Sequence, residues 1–309
     1  MKQSVLADRV RAAVAAPELA PATLTQWRAT FCVGENSFDT AVDAGLVAGQ
    51  LAFCFAGGYQ AALRRLLPSL PQEAFAALLL SEGKRQRPDE LLTTLTPVAG
   101  GGFRLDGEKS YVTGGAAADP LLVVARHGVA PDGRVRTVLA MLPPGLPGIT
   151  CTDRADVGFL AALPHGRAKF DGVYVEPQML MSGDGWVDYA RPFRTIEDTH
   201  VSAAVAAYML VHGLRFGFPD PLSAALFSCL VRLGECAQRD ATDPIGHLLL
   251  AGAERELQQA AAQVNDLIVA RDDDFARDWR VNHLLVALAA PARAKRLQNA
   301  MALLKPVGP

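Results

Sequence analysis

The hydrophobic pattern of this 309-residue chain changes its period twice. Up to residue 77, apolar residues recur every three or four positions, which is typical of amphipathic helices. Gly57 and Gly58 are tolerated within that pattern if they let two helices pack closely. Between residues 78 and 180, short β-rich runs alternate with glycine- and proline-rich turns, and the helical period returns from residue 185. Strands placed between two blocks of helices predict an α+β fold with segregated layers.

We therefore expect three domains: an N-terminal helical domain over 1–77, a central β domain over 78–184 and a C-terminal helix bundle over 185–309. The central runs are short and evenly spaced, which predicts an antiparallel β-barrel or sandwich. Four segments after residue 190 are long enough to be bundle helices. Asp220 and Asp243, each followed by proline, are expected to be N-terminal caps.

Composition excludes several classes of function. The formal net charge is −2, so no basic excess favours nucleic acid or an anionic membrane as partner. No long uncharged apolar stretch predicts a membrane span, and Arg9 and Arg11 interrupt what would be the apolar core of a signal peptide. Five cysteines without a CxxC pair indicate a reduced, cytoplasmic protein, with a nucleophilic cysteine as the alternative to small buried ones. The histidines stand singly, so we expect no metal site.

Residues 107–115, GEKSYVTGG, bring together the aromatic ring of Tyr111, the hydroxyl of Thr113 and a closing pair of glycines. Alternating apolar runs on both sides predict the polar tip of a β-hairpin, with Tyr111 and Thr113 at its mouth. The glycines would let backbone approach a ligand closely. Strand propensity alone would also account for a tyrosine and a threonine at these positions.

Three motifs, in order, resemble the acyl-CoA dehydrogenase family. LSEG at 80–83 is similar to the V-T-E-P segment that opens the family's β domain. LDGEKSYVTGG at 105–115 is similar to I-N-G-x-K-x-W-I-T-N-G, and no gap is needed across 82–107. AKFDGVYVEP followed by GDGW, within 168–186, resembles the exit from that domain. The resemblance spans about residues 43–213 and implies a helical domain, a β-barrel and a four-helix bundle, with FAD bound between barrel and bundle.

The resemblance also implies which residues bind the flavin. Tyr111 would lie where the family's Trp or Tyr packs against the ring, and Thr113 would offer its hydroxyl or backbone N–H to the reactive edge. Leu80, Ser81 and Val112 lie in the same matched segments and are expected to bind the cofactor. A planar flavin needs a π-surface beside it and a few donors that stabilise its reduced form.

Dehydrogenation of an acyl-CoA needs a carboxylate over the α-carbon, with its pKa raised by burial. Some family members carry this base on the first bundle helix, and Glu197 and Asp198 lie within one position of that place. Glu197 is preferred because its longer side chain reaches further. The alternative is helix-start chemistry, with Thr195 as N-cap and the acids in the first turn. His200 would either orient a carboxylate or be a satisfied buried histidine.

The chain also departs from the family. Lys84, Arg85 and Arg87 stand where the family has a G-S-D turn that contacts acyl-CoA. Arg87 would bind the thioester's phosphates, or the loop is simply solvated. The family's R-x-F-G motif is matched in part by residues 215–217. Its F-G-G-x-G loop and its Y-E-G-T segment have no counterpart.

Two functions follow from the resemblance. The first is a flavin-dependent oxidoreductase that uses FAD for α,β-dehydrogenation of an acyl thioester, assembled as a homodimer or homotetramer. The second is a non-catalytic binding or partner subunit that has lost FAD and the base. The missing segments favour the second function, whereas Ser81, Tyr111, Thr113 and an acid on the expected helix favour the first.

Overall fold

The computed structural model describes residues 3–17, 21–84, 87–154, 158–288 and 290–305. The chain divides into two compact units. A helical unit comprises residues 1–65 together with 195–309, and a β unit comprises residues 66–194. The division into three domains at residues 77 and 184 stays a prediction.

The first part of the chain forms four helices. They are α1 (Gln3–Ala15), α2 (Leu24–Thr30), α3 (Ser37–Val47) and α4 (Leu51–Leu66). Thr23 caps α2 by accepting from the backbone N–H of Gln26, whose side chain bonds back to Thr23. Asn36 caps α3 in the same way, accepting from Asp39. Polar caps thus set both starts.

Five helices lie in the last part of the chain. They are α5 (Arg191–Phe216), α6 (Asp220–Gln238), α7 (Pro244–Leu267), α8 (Asp274–Asn282) and α9 (Ala290–Ala300). The predicted cap at Asp243 is confirmed, since its side chain accepts the N–H of Ile245 at 2.9 Å. The cap at Asp220 is wrong by one residue: Asp220 is the first helical residue, and Pro219 before it has no capping side chain. None of the described helices is long and apolar enough to cross a membrane.

Glycines let α3 and α4 approach α5 at backbone distance. A Cβ on Gly45 would lie 2.1 Å from the carbonyl oxygen of Ala204, and one on Gly58 would lie 2.8 Å from the Cα of Val201. A Cβ on Gly57 would lie 2.2 Å from the Cβ of Ala44, so the prediction that Gly57 and Gly58 permit close packing is confirmed. Residues 203–211 of α5 are each at most 2% exposed. The helix that carries the candidate base is therefore the buried centre of its unit.

The β unit contains one seven-stranded sheet within the described residues. Its strands are β1 (Ala77–Leu79), β2 (Thr94–Pro97), β3 (Phe103–Thr113), β4 (Leu121–Val129), β5 (Val135–Leu142), β6 (Ile149–Asp153) and β7 (His165–Val175). The order is β1-β4-β2-β3-β7-β6, with β5 on β4. β4 pairs in parallel with β1 and β2, and the other four pairings are antiparallel.

This sheet agrees with the predicted α+β order of elements but not with every detail. The sheet is not closed among the residues that the structure describes, so the predicted barrel is not confirmed. A purely antiparallel domain is wrong as well, because the short strand β1 enters the sheet beside β4 in parallel. Residues 67–77, predicted as part of a helical domain, instead lead into that strand, since α4 already ends at Leu66.

The predicted hairpin at 107–115 is wrong. The run before the segment and most of the segment itself form one strand, β3, which pairs with β7. The run after it is β4, which is separated from β3 in the sheet by β2. The register shifts between Leu105 and Gly107 and again between Lys109 and Val112, which marks two bulges. Gly107 has φ +140°, and a Cβ there would lie 2.6 Å from Thr93. Glycine and extra residues thus bend one strand where alternation suggested a turn.

Candidate functional site

The first two motifs meet at a buried ion pair. Lys109 Nζ lies 2.7 Å from Glu82 Oε1, and the two side chains are 0% and 5% exposed. The Glu82 carboxylate also accepts the backbone N–H groups of Leu92 at 2.6 Å and Thr93 at 3.2 Å. Lys109 donates a second bond to the carbonyl oxygen of Leu80 at 3.3 Å. Both charges are satisfied, so the acid of LSEG and the lysine of GEKS hold the fold together.

Electrostatics keep this pair charged. Burial alone would raise the pKa of Glu82, but Lys109 and the hydrogen bonds from Thr93 and Leu92 outweigh it, so the pKa is lowered. Burial lowers the pKa of Lys109, and the Glu82 carboxylate limits that fall. Sequence reasoning missed the pair. The signal that could have found it is that Glu82 and Lys109 are the oppositely charged residues of two motifs matched without a gap.

Backbone bonds attach the LSEG segment to β3. The carbonyl oxygen of Ser81 accepts the N–H of Ser110 at 2.8 Å and its Oγ at 3.1 Å. The N–H of Gly83 donates to the same Oγ at 2.9 Å. The predicted cofactor residues Leu80 and Ser81, both half-buried, therefore lie beside the strand that carries Tyr111.

The three predicted residues of β3 differ in their surroundings. Val112 is 0% exposed, packs into the apolar core of the sheet and pairs with Gly166 of β7. Thr113 is 5% exposed. Tyr111 is half-buried, and the bulge between Lys109 and Val112 contains it. Because a bulge re-aims the side chain it carries, Tyr111 does not follow the simple alternation of its strand.

His165, which sequence reasoning did not select, packs against Tyr111. It is the first residue of β7 and pairs with Thr113 across the sheet. Its ring centroid lies 5.0 Å from that of Tyr111 and 6.3 Å from that of Phe159. His165 is 3% exposed, yet neither ring nitrogen has a hydrogen-bond partner among the residues described. Burial, with a smaller effect of Arg154, lowers the pKa of His165 to about 4, so the ring is neutral at pH 7.

The glycines that end the GEKSYVTGG segment serve packing. Gly114 and Gly115 have φ of +90° and +56°. A Cβ on Gly114 would lie 2.4 Å from the Phe75 ring, and one on Gly115 would lie 2.1 Å from Asp153 Oδ1. The same Asp153 oxygen accepts the N–H of Ala116 at 2.8 Å. The turn after β3 is therefore held against β6.

The two candidate bases lie in the second turn of α5. This helix begins at Arg191, directly after a π-helical turn over Gly185–Ala190. The predicted N-cap at Thr195 is therefore wrong, and helix-start chemistry does not explain acids at 197 and 198. Glu197 is half-buried, whereas Asp198 is 8% exposed.

Asp198 is part of a buried charge cluster that includes two arginines of α9. Its Oδ1 accepts Arg293 Nε at 3.0 Å and Nη2 at 2.8 Å, and its Oδ2 accepts Arg296 Nη1 at 2.6 Å. Arg296 also donates to Glu254 Oε1 at 2.8 Å. Burial, reinforced by the charge of Asp198, raises the pKa of Glu254 to about 7 against the opposing effect of both arginines. Charge-assisted bonds occupy both oxygens of Asp198, which ties α5 to α9.

His200 is a satisfied buried histidine, the second of the two roles predicted for it. Its Nδ1 lies 2.7 Å from the carbonyl oxygen of Ile196, and its Nε2 lies 2.9 Å from Ser37 Oγ. Burial lowers the pKa of His200 to about 4. Both nitrogens have partners, which is the opposite of the situation at His165.

The basic loop carries its own counter-charges. Arg87 has a side chain 69% exposed, with Nη2 2.9 Å from Glu90 Oε1 and Nε 3.8 Å from Asp89. Lys84 is exposed, and Arg85 lies outside the described residues. This geometry is that of a solvated loop more than of a preformed phosphate site.

The partial match to the family's R-x-F-G motif is engaged within its own chain. Arg215 Nη2 donates to the carbonyl oxygens of Ala13 at 2.7 Å and Ala16 at 3.2 Å. These carbonyls lie at the end of α1, where a cation is favoured. The arginine thus closes a helix terminus.

The buried cysteines do not have the surroundings of a nucleophile. Cys54, Cys229 and Cys236 are buried, and burial raises the pKa of Cys229 to about 12 and that of Cys236 to about 11. Since the thiolate is the reactive form, these thiols are inert at neutral pH.

No protein-family model matches the chain. Among curated proteins, the benzylmalonyl-CoA dehydrogenase of Aromatoleum aromaticum is 28% identical over 125 residues. That match covers 40% of this chain and 32% of the relative, so it spans about a third of the relative's length.

Several solved structures are similar over nearly the whole chain. Butyryl-CoA dehydrogenase from Megasphaera elsdenii has a TM-score of 0.73 at 14% identity, covering 98% of each chain. FMN-bound TdsC from Paenibacillus sp. A11-2 has a TM-score of 0.68 at 16% identity, covering 98% of this chain and 97% of that one. An FAD-dependent dehydrogenase has a TM-score of 0.64 at 19% identity, covering 97% and 92%. The chain therefore has the acyl-CoA dehydrogenase-like fold, and the predicted resemblance is confirmed at that level.

Proposed function

We propose that the protein is a flavin-dependent oxidoreductase of the acyl-CoA dehydrogenase type that introduces an α,β double bond into an acyl thioester. The observation that carries this proposal is the Tyr111–Thr113 segment, beside which lies the buried imidazole of His165, whose ring nitrogens have no partner among the described residues. The fold supports the proposal, since similar structures include a butyryl-CoA dehydrogenase and an FAD-dependent dehydrogenase.

The residues of the β unit fit the ring of a flavin. Tyr111 supplies an aromatic surface that is still partly exposed, and Thr113 supplies a hydroxyl and a backbone N–H at the same end of β3. Leu80 and Ser81 are held beside them by the bonds to Lys109 and Ser110. A bound flavin would supply the acceptor for the hydride that leaves the β-carbon. FAD is the expected form, with FMN as the alternative.

We assign the base to Glu197. A carboxylate that removes an α-proton needs an oxygen available to the substrate. Both oxygens of Asp198 already accept charge-assisted bonds from Arg293 and Arg296. We prefer Glu197 on the same helix because its side chain is one methylene longer and reaches further, and because it is half-buried rather than buried. Asp198 then has a structural task, and Glu197 takes the proton.

The second candidate, a non-catalytic partner or binding subunit, is favoured by one specific contact. Arg215, in the partial match to a motif that reaches the FAD of a neighbouring subunit in the family, instead binds carbonyl oxygens of α1 in its own chain. The missing F-G-G-x-G and Y-E-G-T segments point the same way. This candidate predicts a protein that keeps the fold and binds no flavin.

Self-association is also proposed. Val281, Leu284 and Leu288, on α8 and the turn after it, are 58%, 61% and 41% exposed. Apolar side chains clustered on one short segment are typical of a contact surface. A homodimer or homotetramer would give a molar mass two or four times 32.8 kDa in light scattering, whereas a monomer would contradict this proposal.

The central test is binding of flavin and its reduction. The purified protein is titrated with FMN and with FAD, followed by flavin fluorescence, and then mixed anaerobically with acyl-CoA thioesters of increasing chain length. We expect a bound flavin that is bleached by substrate. Glu197→Gln should keep the flavin and slow the bleaching by about 10²–10⁴-fold, since the amide cannot accept a proton.

Two further variants separate the roles. Tyr111→Ala should weaken flavin binding by about 0.5–1.5 kcal/mol beyond the lost contact area, because stacking on its ring is removed. If Asp198→Asn abolishes bleaching while Glu197→Gln does not, the base is Asp198 and the mechanism stands. A protein that binds neither flavin at saturation would leave the non-catalytic candidate.

A further inference from the structure

We propose that His165 is a ligand-binding residue that donates a ring N–H hydrogen bond to a polar atom of the flavin held beside Tyr111. This role rests on the proposed function, since it takes the flavin as the ligand. His165 lies outside the three matched motifs. It is the first residue of β7, and the motif on that strand begins three residues later, at Ala168.

The imidazole of His165 is buried in an energetically unfavourable position. His165 is 3% exposed, yet both ring nitrogens lack partners in the described part of the chain. Buried polar groups in folded proteins are almost always hydrogen-bonded, and an orphan costs stability. The buried His200 obeys that rule, with Nδ1 2.7 Å from a backbone carbonyl oxygen, and the half-buried His127 has a similar bond at 3.0 Å. His165 lacks a partner at both ring nitrogens among the described residues, which leaves them for a bound ligand.

The His165 side chain lies beside the residues predicted to bind the flavin. His165 pairs with Thr113, and its ring lies against Tyr111 at 5.0 Å, with an angle of 33° between the ring planes. Three side chains that meet at one end of β3 and β7 thus present a π-surface, a hydroxyl and an imidazole. The polar edge of a flavin carries carbonyl oxygens and ring nitrogens, which accept hydrogen bonds from such donors.

The His165 ring is neutral at physiological pH and can still donate one hydrogen bond. A neutral imidazole carries one N–H donor and one acceptor nitrogen, whereas an imidazolium beside an arginine would be unfavourable. Arg154, which donates to the carbonyl oxygen of Ser110 at 3.2 Å, lies close enough to disfavour the charged ring. His165 is therefore a neutral donor throughout the physiological pH range.

The competing explanation is packing alone, in which His165 only fills space between Tyr111 and Phe159. The two explanations differ in the stability of the flavin-free protein. If His165 waits for a ligand, replacing it by leucine removes two unsatisfied polar atoms and stabilises the flavin-free state. If it packs specifically, the same replacement destabilises that state.

The experiment uses the full chain with His165→Leu, His165→Gln and the control His127→Leu. Thermal unfolding of the flavin-free proteins and fluorescence titration with FMN and FAD are measured for each. We expect His165→Leu to raise the flavin-free Tm by roughly 2–4 °C and to weaken flavin binding by about 5- to 30-fold, the loss of one hydrogen bond. His165→Gln, which keeps a donor, should retain part of the affinity, and His127→Leu should leave flavin affinity unchanged.

A spectroscopic measurement does not depend on stability. With ¹⁵N-labelled histidine, the ring-nitrogen signal that is lost in His165→Leu should shift when flavin is added to the unchanged protein. Equal flavin affinity of the unchanged protein and His165→Leu would overturn the role of His165 and leave the proposed function standing. If His165→Leu and His165→Gln lose flavin affinity to the same extent and both lower the Tm, His165 contributes only by packing between Tyr111 and Phe159. A chain that binds no flavin would overturn both proposals together.

Discussion

Two polar groups buried in the same β unit, Lys109 and His165, have opposite surroundings. Lys109 is fully buried and satisfied, since it bonds Glu82, which in turn accepts two backbone N–H groups. His165 is equally inaccessible, yet neither of its ring nitrogens has a partner among the described residues. A buried polar group whose bonds are complete holds a fold together, whereas one whose bonds are incomplete indicates a place for a ligand.

Two adjacent acids of α5 in the helical unit also differ in their surroundings. Both oxygens of Asp198 accept bonds from Arg293 and Arg296 in a buried cluster, and its neighbour Glu197 is half-buried. Adjacent acids in the sequence thus fall into different environments, because successive residues of a helix point about 100° apart. The degree of burial separates the structural acid from the candidate base.

Removing one partner of the satisfied pair should have the largest effect. Lys109→Met should destabilise the β unit by about 3–5 kcal/mol, because the Glu82 carboxylate would stay buried without its counter-charge. Urea unfolding followed by intrinsic fluorescence measures the change. The double variant Glu82→Gln/Lys109→Met should recover part of the loss. If Lys109→Met lowers the free energy of unfolding by less than about 1 kcal/mol, the Glu82–Lys109 pair does not stabilise the β unit.

Glu254 tests the charge cluster through pH. The pKa of Glu254 in the folded protein is about 7, above the ordinary value of 4.5, so the native state binds its proton more tightly than the unfolded state does. The stability of the unchanged protein should therefore fall as pH rises from about 4.5 to about 7. Glu254→Gln lacks this titration. It should match the unchanged protein at low pH and exceed it by about 3 kcal/mol at pH 8, in denaturant unfolding across that range. A pH-independent difference would contradict the raised pKa.

The comparison between neighbouring acids of α5 predicts a smaller stability difference. Asp198→Asn should destabilise the helical unit by about 1.5–3 kcal/mol, the loss of hydrogen bonds to charged partners. Glu197→Gln serves as the matched control and should cost less than Asp198→Asn, because Glu197 is more exposed than Asp198. Thermal unfolding of both variants at pH 7 checks this. Equal stability of the two variants would remove the structural role assigned to Asp198.

The smallest effect is expected at the basic loop. Arg87 is largely exposed and already paired with Glu90, so Arg87→Ala should change the affinity for a CoA thioester by less than about 1 kcal/mol. Calorimetry at two salt concentrations measures it. A loss of several kcal/mol that shrinks with salt would instead show that Arg87 leaves Glu90 to bind phosphate.

Local pattern predicted the elements well where one physical rule dominated. The helical period predicted α3 to α7, and the Asp-Pro pair predicted the cap of α7 at Asp243. The resemblance assigned residues of both LSEG and YVTGG to one cofactor site, and the bonds between Ser81 and Ser110 hold these two segments together. In each case the determining contacts are close in sequence or belong to matched motifs.

Prediction failed where a distant contact overrode the local pattern. The polar segment 107–115 suggested the tip of a hairpin. In the structure Gly107 instead lies at a β-bulge, close to Thr93, and β3 continues through it. Thr195 resembled a helix cap, but a π-helical turn already leads into α5 at Arg191. Whether the sheet closes depends on which strand edges meet, and alternation along one strand contains no information about that.

The sequence by itself determined the order of helices and strands, the resemblance to the acyl-CoA dehydrogenase family and the two segments that meet at β3. The tertiary structure alone decided which polar residues are satisfied. Lys109, Asp198, His200 and His165 are all buried charged or polar residues, and nothing in their immediate sequence separates them. Apart from the bond of His200 to Ile196 four residues earlier, their partners come from residues 27 to 163 positions away, whereas the ring nitrogens of His165 have none among the described residues. Hydrogen bonding depends on distance in space, which only the folded chain specifies.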